Sequence, residues 1–460
     1  MDYVQLTDDQ RKTMLDAIGV QCVDDLYASL DPALRLKAPL QLADLPTGQS
    51  ELEITRRLSE LAAGNRTDSA CFLGGGAYDH FIPASVDHLA GQSAFVTAYT
   101  PYQAEASQGS LQAFFEFQTQ IARLTSLEVA NASLYDGATA VTESALMAVS
   151  ITGRRRVLVA STIHPHYRAV LRCYLVDLAA ELVELPADPV SGRITTDALA
   201  QAMRGAEKDA ACVIVQSPSA LGIIEDWSSL FAAARDLGDD KGPLCVAVFN
   251  PIACGLLKRP GDCGADIAVA EGQCLGIPLQ FGGPYLGIIA TRDKYVRKMP
   301  GRLVGQTTDK LGRRGFCLTL QTREQHIRGA KATSNICTNQ GLMALRAAVY
   351  LSAMGPHGLR NVAEQCYHKA HHAARQIARI PGYTLAHSDS SFFHEFVVNC
   401  PAKAVAIIAT GRSRGIQPGL DAAKFGVGRD DQLLVAVTEK RTRQQIDALV
   451  SLLSDVAEGN

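Results

Sequence analysis

The chain has 460 residues, enough for one large domain and a smaller one, because a single core stops growing at about 250–300 residues. Its 44 basic and 47 acidic side chains nearly cancel to a net charge of −3, and beyond short clusters such as Arg154-Arg155-Arg156 and Arg313-Arg314 no run of five or six like charges occurs, which argues against a nucleic-acid partner. Met1–Gln5 shows no secretory pattern, no uncharged apolar run could span a bilayer, and the 12 cysteines lack any C-x-x-C pair, so a soluble cytoplasmic protein with free thiols is expected.

Thr7-Asp8-Asp9-Gln10 has the form of a capping box, in which the Thr7 hydroxyl and the Gln10 side chain satisfy each other's amides. It predicts a helix from about Asp8 to Ile18, ending at Gly19. Ser50-Glu51-Leu52-Glu53 repeats the device and predicts a helix to Ala63 that stops at Gly64. Between them, Pro32 to Gly48 reads as an extended connector. Residues 1–70 are thus expected to be an N-terminal helical arm without a core of its own, wrapping a partner subunit or packing on the same chain.

From Cys71 to Thr291 short apolar runs recur, at Val157–Ala160, Glu181–Leu185, Cys212–Val215, Cys245–Phe249, Asp266–Val269 and Leu286–Ile289. Helical segments such as Thr196–Met203 and Trp227–Leu237 lie between them. Strands apolar on both faces and separated by helices indicate a mostly parallel sheet covered on both sides, a three-layer α/β domain over residues 71–325. After Gln321 a long helical region is expected, with Leu342, Leu345, Val349 and Ala353 as its buried stripe. Strands at Phe392–Val398 and Leu433–Val437, and a closing helix Arg441–Leu453 with Ile446, Leu449, Val450 and Leu453 on one face, make residues 326–460 a smaller C-terminal α+β domain.

Ligand sites in such sheets lie beyond the carboxyl ends of the strands. Four polar clusters stand there: His164-Pro165-His166-Tyr167, Gln216-Ser217-Pro218-Ser219, Asn250-Pro251 and Glu271-Gly272-Gln273, and together they predict one cleft. Tyr135-Asp136-Gly137-Ala138-Thr139-Ala140 opens a helix and could cradle a phosphate on free amides or simply be capped by Asp136. Tyr99-Thr100-Pro101-Tyr102-Gln103 either lines a pocket or joins two helices. His164 and His166 have no carboxylate or cysteine beside them, so no metal is expected.

The stretch Asp262 to Gly276, followed by Phe281 to Gly287, reads as a buried strand, a polar turn, a glycine-rich loop and a second strand. Its layout resembles that of the pyridoxal-phosphate enzymes, whose corresponding turn carries the lysine that forms a Schiff base with the cofactor. Here no lysine occurs between Lys258 and Lys294, and Glu271, Gln273 and Cys274 cannot form an imine. The stretch looks like a cofactor site without its covalent anchor. Lys258, Lys294 and Lys331 are expected to make surface or phosphate contacts.

Thr322-Arg323-Glu324-Gln325-His326-Ile327-Arg328-Gly329-Ala330-Lys331-Ala332-Thr333-Ser334-Asn335-Ile336-Cys337-Thr338 resembles the P-protein family of the glycine cleavage system, the decarboxylating glycine dehydrogenases. Phe72–His80, Tyr99–Gln103, Ala130–Gly137, Glu271–Pro278 and Pro300–Gly305 are also similar to the N-terminal half of that family, on its split, alpha-chain (subunit 1) branch. The resemblance implies a fold type I pyridoxal-phosphate-dependent transferase-like architecture and an α2β2 heterotetramer whose beta chain holds pyridoxal phosphate covalently. It implies decarboxylation of glycine and transfer of the aminomethyl group to lipoyl H-protein. By the same resemblance Tyr99, Tyr102 and Gln103 face an interface pocket, and Gly282 and Gly283 offer backbone donors to the partner's cofactor. Arg323, His326 and Asn335 then serve the substrate carboxylate or the lipoyl path. The alternative is a catalytically silent scaffold that only stabilises the beta chain and docks H-protein.

Overall fold

The computed structural model describes residues 6–36, 48–96, 100–204, 210–238 and 242–459. Its contacts divide the chain into two units, Met1–Thr67 and Asp68–Asn460.

In the first unit, helix α1 spans Asp8–Ile18 and helix α2 spans Glu51–Ala63. The Thr7 hydroxyl accepts the Gln10 amide at 3.2 Å while Gln10 Oε1 accepts the Thr7 amide at 2.9 Å, and Gly19 closes the helix at φ 86°. Ser50 and Glu53 start α2 in the same way. Neither helix has a buried residue, and Leu52, Leu58 and Leu61 stand exposed. Most of the expected connector lies outside the described residues; Pro32–Leu34 forms one tight turn capped by Asp31.

The second unit is built on seven strands: β1 Val129–Ala130, β2 Arg156–Ala160, β3 Glu181–Leu185, β4 Ala210–Ser217, β5 Leu244–Phe249, β6 Ile267–Glu271 and β7 Gly287–Thr291, in the order β1-β7-β6-β5-β4-β2-β3. The pairs among β3, β2, β4, β5 and β6 are parallel, and β7 runs antiparallel to β6 and β1. All six apolar runs become strands, with ends moved by a residue or two. The inner strands are mostly apolar because helices cover both faces, whereas the edge strand β3 leaves Glu181 exposed and pairs Glu184 with Arg168 and Arg172. On one face Leu158, Val213, Ala247 and Ala268 pack with Trp227 and Phe231; on the other Val157, Ile214, Val246 and Val269 pack with Val141, Ala145 and Ala148.

The helices that matter for the site are α3 Gln108–Thr125, α4 Gly137–Thr152, α5 Pro165–Leu175, α6 Thr196–Arg204, α7 Trp227–Leu237 and α8 Gly341–Ile377. A hairpin of β8 Leu303–Thr308 and β9 Arg314–Thr319 precedes α8. Helix α8 breaks at Gly355, whose φ of 59° and ψ of −178° are followed by Pro356. Its buried face differs from the expected stripe: Ala344, Leu345, Ala347, Ala348 and Tyr350 are buried, whereas Leu342 is 43% exposed. Small side chains let α8 lie close on α3, so alanines and not the larger Leu342 mark the seam.

Beyond α8, strands β10 Thr384–Leu385, β11 Glu395–Asn399, β12 Leu420–Asp421 and β13 Gln432–Ala436 form an antiparallel sheet in the order β10-β11-β13-β12. Helix α9, Arg443–Glu458, buries Ile446, Leu449, Leu452 and Leu453 against it. Among the described residues no helix is long and apolar enough to cross a membrane.

Candidate functional site

The four polar clusters at the strand ends do meet. Tyr167 after β2, Gln216 and Pro218 at the end of β4, Asn250 and Pro251 after β5, and Glu271 at the end of β6 line one crevice, together with Gly76, Tyr78, His394 and Glu395. Most of these side chains are held by hydrogen bonds, whereas His394 Nδ1 is buried without a partner. Tyr78 donates its hydroxyl to Glu395 Oε2 at 2.9 Å, and the other oxygen of Glu395 takes the Gly75 amide at 2.7 Å. Gln273 Oε1 accepts the Tyr78 amide at 2.9 Å, and Gln216 Oε1 accepts the His164 amide at 2.8 Å. The His164 ring stacks on Tyr167 with centroids 4.4 Å apart and bonds the Gly75 carbonyl through Nε2 at 2.8 Å.

Glu271 holds the centre. Its Oε2 accepts the Gly137 amide at 2.9 Å, and its Oε1 accepts the amides of Gln273 at 2.9 Å and Leu286 at 3.0 Å. The amino terminus of α4 is therefore closed by a carboxylate from the turn after β6. Asp136 closes it further by accepting the Thr139 amide at 2.7 Å, so capping and not an open anion cradle describes this helix start. Gly137 has no side chain because there is no room: a Cβ would come within 2.5 Å of the Tyr167 hydroxyl and 2.9 Å of Glu271.

Burial sets the charge of the crevice. It pushes Glu271 up to about 7, opposed by its three backbone donors, and Glu395 up to about 7, opposed by Gly75 and Tyr78. It lowers His164 to about 4 and His394 to about 3, so both rings stay neutral. Tyr78 and Tyr167 are raised well above the ordinary phenol range, first by burial.

Pyridoxal phosphate does not fit this crevice. Its lining contains no primary amine, and Lys258, Lys294 and Lys331 are exposed elsewhere. The helix terminus that would face a phosphate is capped, and about 40 Å³ of free internal space leaves room for about one or two waters.

A second cluster lies around β8. Arg302, 4% exposed, donates to Asn339 Oδ1 at 3.1 Å, to the Cys337 carbonyl at 2.9 Å and to the Tyr102 hydroxyl at 3.3 Å. Its guanidinium also lies 5.4 Å from the centroid of the Tyr102 ring. Tyr102 meets His326 edge-on, with centroids 5.4 Å apart, and Glu324 Oε2 lies 3.6 Å from His326 Nδ1 and 3.9 Å from Arg302 Nε. A cavity of about 170 Å³ opens beside it, walled by Phe95, Pro101, Phe114, Leu342 and Leu345, with Arg302, Thr100 and Asn339 as its polar end. Tyr102 and His326 remain exposed at its edge.

Of the residues singled out in the sequence, Tyr102 and His326 come together here. Tyr99 lies outside the described residues. Gln103 and Asn335 are exposed, and neither side chain joins the cluster's hydrogen bonds. Arg323 turns inward and donates to the carbonyls of Leu320 at 3.1 Å, Gly301 at 3.0 Å and Met299, which fastens the loop before β8. Gly282 and Gly283 sit in a turn with φ of 104° and 128°, and the Gly283 amide is donated to the Gln280 carbonyl at 2.7 Å. Arg302, Glu324, Tyr78, His394 and Glu395 were not singled out for a role. Arg302, Glu324 and Tyr78 lie in the Pro300–Gly305, Thr322–Thr338 and Phe72–His80 motifs, and this was the signal available for them; His394 and Glu395 carry none beyond their place in the expected strand Phe392–Val398.

A family profile described as "Glycine cleavage system P-protein" matches residues 1–453. The "Probable glycine dehydrogenase (decarboxylating) subunit 1" of Thermomicrobium roseum is 50% identical over 452 residues, covering 98% of each chain. A solved structure, glycine decarboxylase (P-protein) of the glycine cleavage system in inhibitor-bound form, superposes with a TM-score of 0.89 at 42% identity, covering 99% of this chain and 100% of that one. A mutant of C-DES with glycine covalently linked to its PLP cofactor superposes with a TM-score of 0.61 at 14% identity over 85% of this chain and 97% of that one, a likeness of fold alone.

Proposed function

The chain belongs to the glycine cleavage system P-protein family and is a subunit of glycine dehydrogenase (decarboxylating), and from there we propose that it works beside a beta chain that holds the pyridoxal phosphate. The observation that carries this reading is Glu271. A carboxylate stands where an imine-forming amine is required, and it fills the helix terminus that a phosphate would need. The subunit therefore contributes walls and electrostatics, and the covalent chemistry resides on its partner.

In this reading the assembly is an α2β2 heterotetramer in the cytoplasm. Residues 1–70 act as an arm, residues 71–325 as the large α/β domain and residues 326–460 as the smaller α+β domain. Glycine is decarboxylated and its aminomethyl group passes to lipoyl H-protein. The pocket shared with the beta chain is walled on this side by Tyr102 and His326, with Tyr99 and Gln103 from the same loop and Asn335 nearby. Arg302 holds the Tyr102 hydroxyl, and Glu324 sits behind the His326 ring. The exposed turn at Gly282 and Gly283 faces the cofactor of the beta chain. A silent scaffold is not favoured, because Arg302, anchored to Asn339 and the Cys337 carbonyl, also holds the hydroxyl of the exposed Tyr102, which mere docking does not require.

The test is activity of each chain alone and together. Exchange of labelled bicarbonate into glycine is expected only when both chains are present, and exchange by this chain alone contradicts the division of labour.

A further inference from the structure

We propose that His80, Cys366 and Glu439 form a structural site for one thiophilic divalent cation, of which zinc is the natural choice. The three residues come from distant parts of the chain: the loop after Tyr78, the second half of α8, and the turn between β13 and α9. Their ligand atoms all lie within 4.8 Å of one another, and among the described residues no other trio of His, Cys, Asp or Glu is gathered in this way. Because 286 residues separate His80 from Cys366, no ligand spacing along the chain could reveal it.

The donor set is one imidazole nitrogen, one sulfur and one carboxylate oxygen, a combination that suits zinc and excludes the hard cations, which take oxygen alone. Glu439 Oε2 lies 2.7 Å from His80 Nδ1 and 3.3 Å from Cys366 Sγ. Its other oxygen accepts the Phe81 amide at 2.5 Å, so the carboxylate is already aimed with Oε2 toward the imidazole and the thiol. In a tetrahedral zinc site such donors stand about 3.3–3.7 Å apart, so the sulfur–oxygen spacing is in place and the nitrogen–oxygen spacing opens by about half an ångström.

Charge and burial agree. His80 is 6% exposed and Cys366 is fully buried. A divalent cation balanced by one thiolate and one carboxylate is neutral overall, which a low-dielectric interior tolerates. Binding breaks the S–H bond of Cys366 and the hydrogen bond between His80 Nδ1 and Glu439 Oε2, and forms bonds from the metal to sulfur, nitrogen and oxygen. The thiol proton goes to solvent and the Nδ1 proton to Nε2 or solvent, with no change of oxidation state. Without a cation, burial first and then Glu439 raise that thiol well above its ordinary range.

A second observation points to a missing ligand. The ring nitrogen His80 Nε2, on one of the three residues itself, is buried without a hydrogen-bond partner, and the Tyr350 hydroxyl is likewise buried and unpartnered. An unpartnered buried polar atom costs about 1–3 kcal/mol, so the surroundings of His80 are not satisfied by the protein's own groups alone. Lys369 donates to the Glu439 carbonyl at 2.5 Å and not to its carboxylate.

The experiment uses the full chain, stripped with a chelator under reducing conditions and titrated with Co²⁺, then with Zn²⁺. One equivalent of cobalt is expected to give a thiolate-to-metal charge-transfer band, to be displaced by zinc and to raise the melting temperature. Cys366→Ser is expected to abolish the band and Cys173→Ser, at an exposed position, to retain it. His80→Gln is expected to weaken binding at least tenfold. X-ray absorption of the unmutated zinc-loaded protein needs no variant: one sulfur with nitrogen and oxygen donors supports the site. No stoichiometric cobalt band, a band that survives Cys366→Ser, or a sulfur count other than one overturns it.

Discussion

The Glu271 carboxylate accepts the backbone amide of Gly137 at 2.9 Å, joining the turn after β6 to the first residue of α4. One side chain thus closes the anion-binding end of a helix and stands in the turn where the resemblance expects an imine-forming amine. The Tyr167 hydroxyl closes the remaining approach, at a distance that only a glycine at 137 permits.

Because Glu271 satisfies three backbone amides, Glu271→Gln leaves at least one of them facing an amide nitrogen instead of an acceptor. The expected cost is about 1–3 kcal/mol in urea denaturation of the isolated chain. A variant as stable as the parent contradicts the assigned hydrogen bonds.

Glu143 lies on α4, 2% exposed, with Oε1 unpartnered, and burial raises its carboxyl to about 7 from an ordinary 4.5. An acid whose folded pKa exceeds its unfolded one binds its proton more tightly when folded, so stability falls as pH rises from about 4.5 to about 7. Glu143→Gln mimics the protonated form. It is expected to stabilise the chain by about 1–3 kcal/mol at about pH 8 and to be near neutral at about pH 5, as read by thermal unfolding. An equal effect at both values contradicts the assignment.

Arg323 and Tyr102, both beside the exposed cluster, predict opposite phenotypes. Arg323→Ala removes three donors from the carbonyls of Leu320, Gly301 and Met299, and is expected to cost about 2–4 kcal/mol of stability. Tyr102→Phe removes only a hydroxyl at a half-exposed position, so the fold should change by less than about 1 kcal/mol while turnover of the assembled enzyme falls by about tenfold or more. Unchanged turnover in Tyr102→Phe favours the silent scaffold.

What the sequence disclosed follows the reach of the forces involved. Thr7–Gln10 and Ser50–Glu53 set their helices through bonds three residues long, so those boundaries were legible. The inner strands were legible because both faces are buried and apolar side chains serve there. The crevice was legible in its four strand-end clusters. Its closure was not, since Tyr78 reaches Glu395 across 317 residues. The inward turn of Arg323 and the lateral reach of Arg302 were equally hidden: the motifs carry both guanidiniums, and only the folded chain brings the carbonyls of Met299 and Gly301 to Arg323 and the Cys337 carbonyl and Tyr102 hydroxyl to Arg302. On α8 the apolar pattern suggested Leu342, but close packing selected the alanines.

The most direct measurement is borohydride reduction with pyridoxal phosphate, applied to this chain alone and to the assembled complex, followed by peptide mass spectrometry. The account predicts a stoichiometric pyridoxyl adduct on one lysine of the beta chain in the complex and no stoichiometric adduct on this chain in either sample. A single fully labelled residue on this chain, in the absence of its partner, contradicts it.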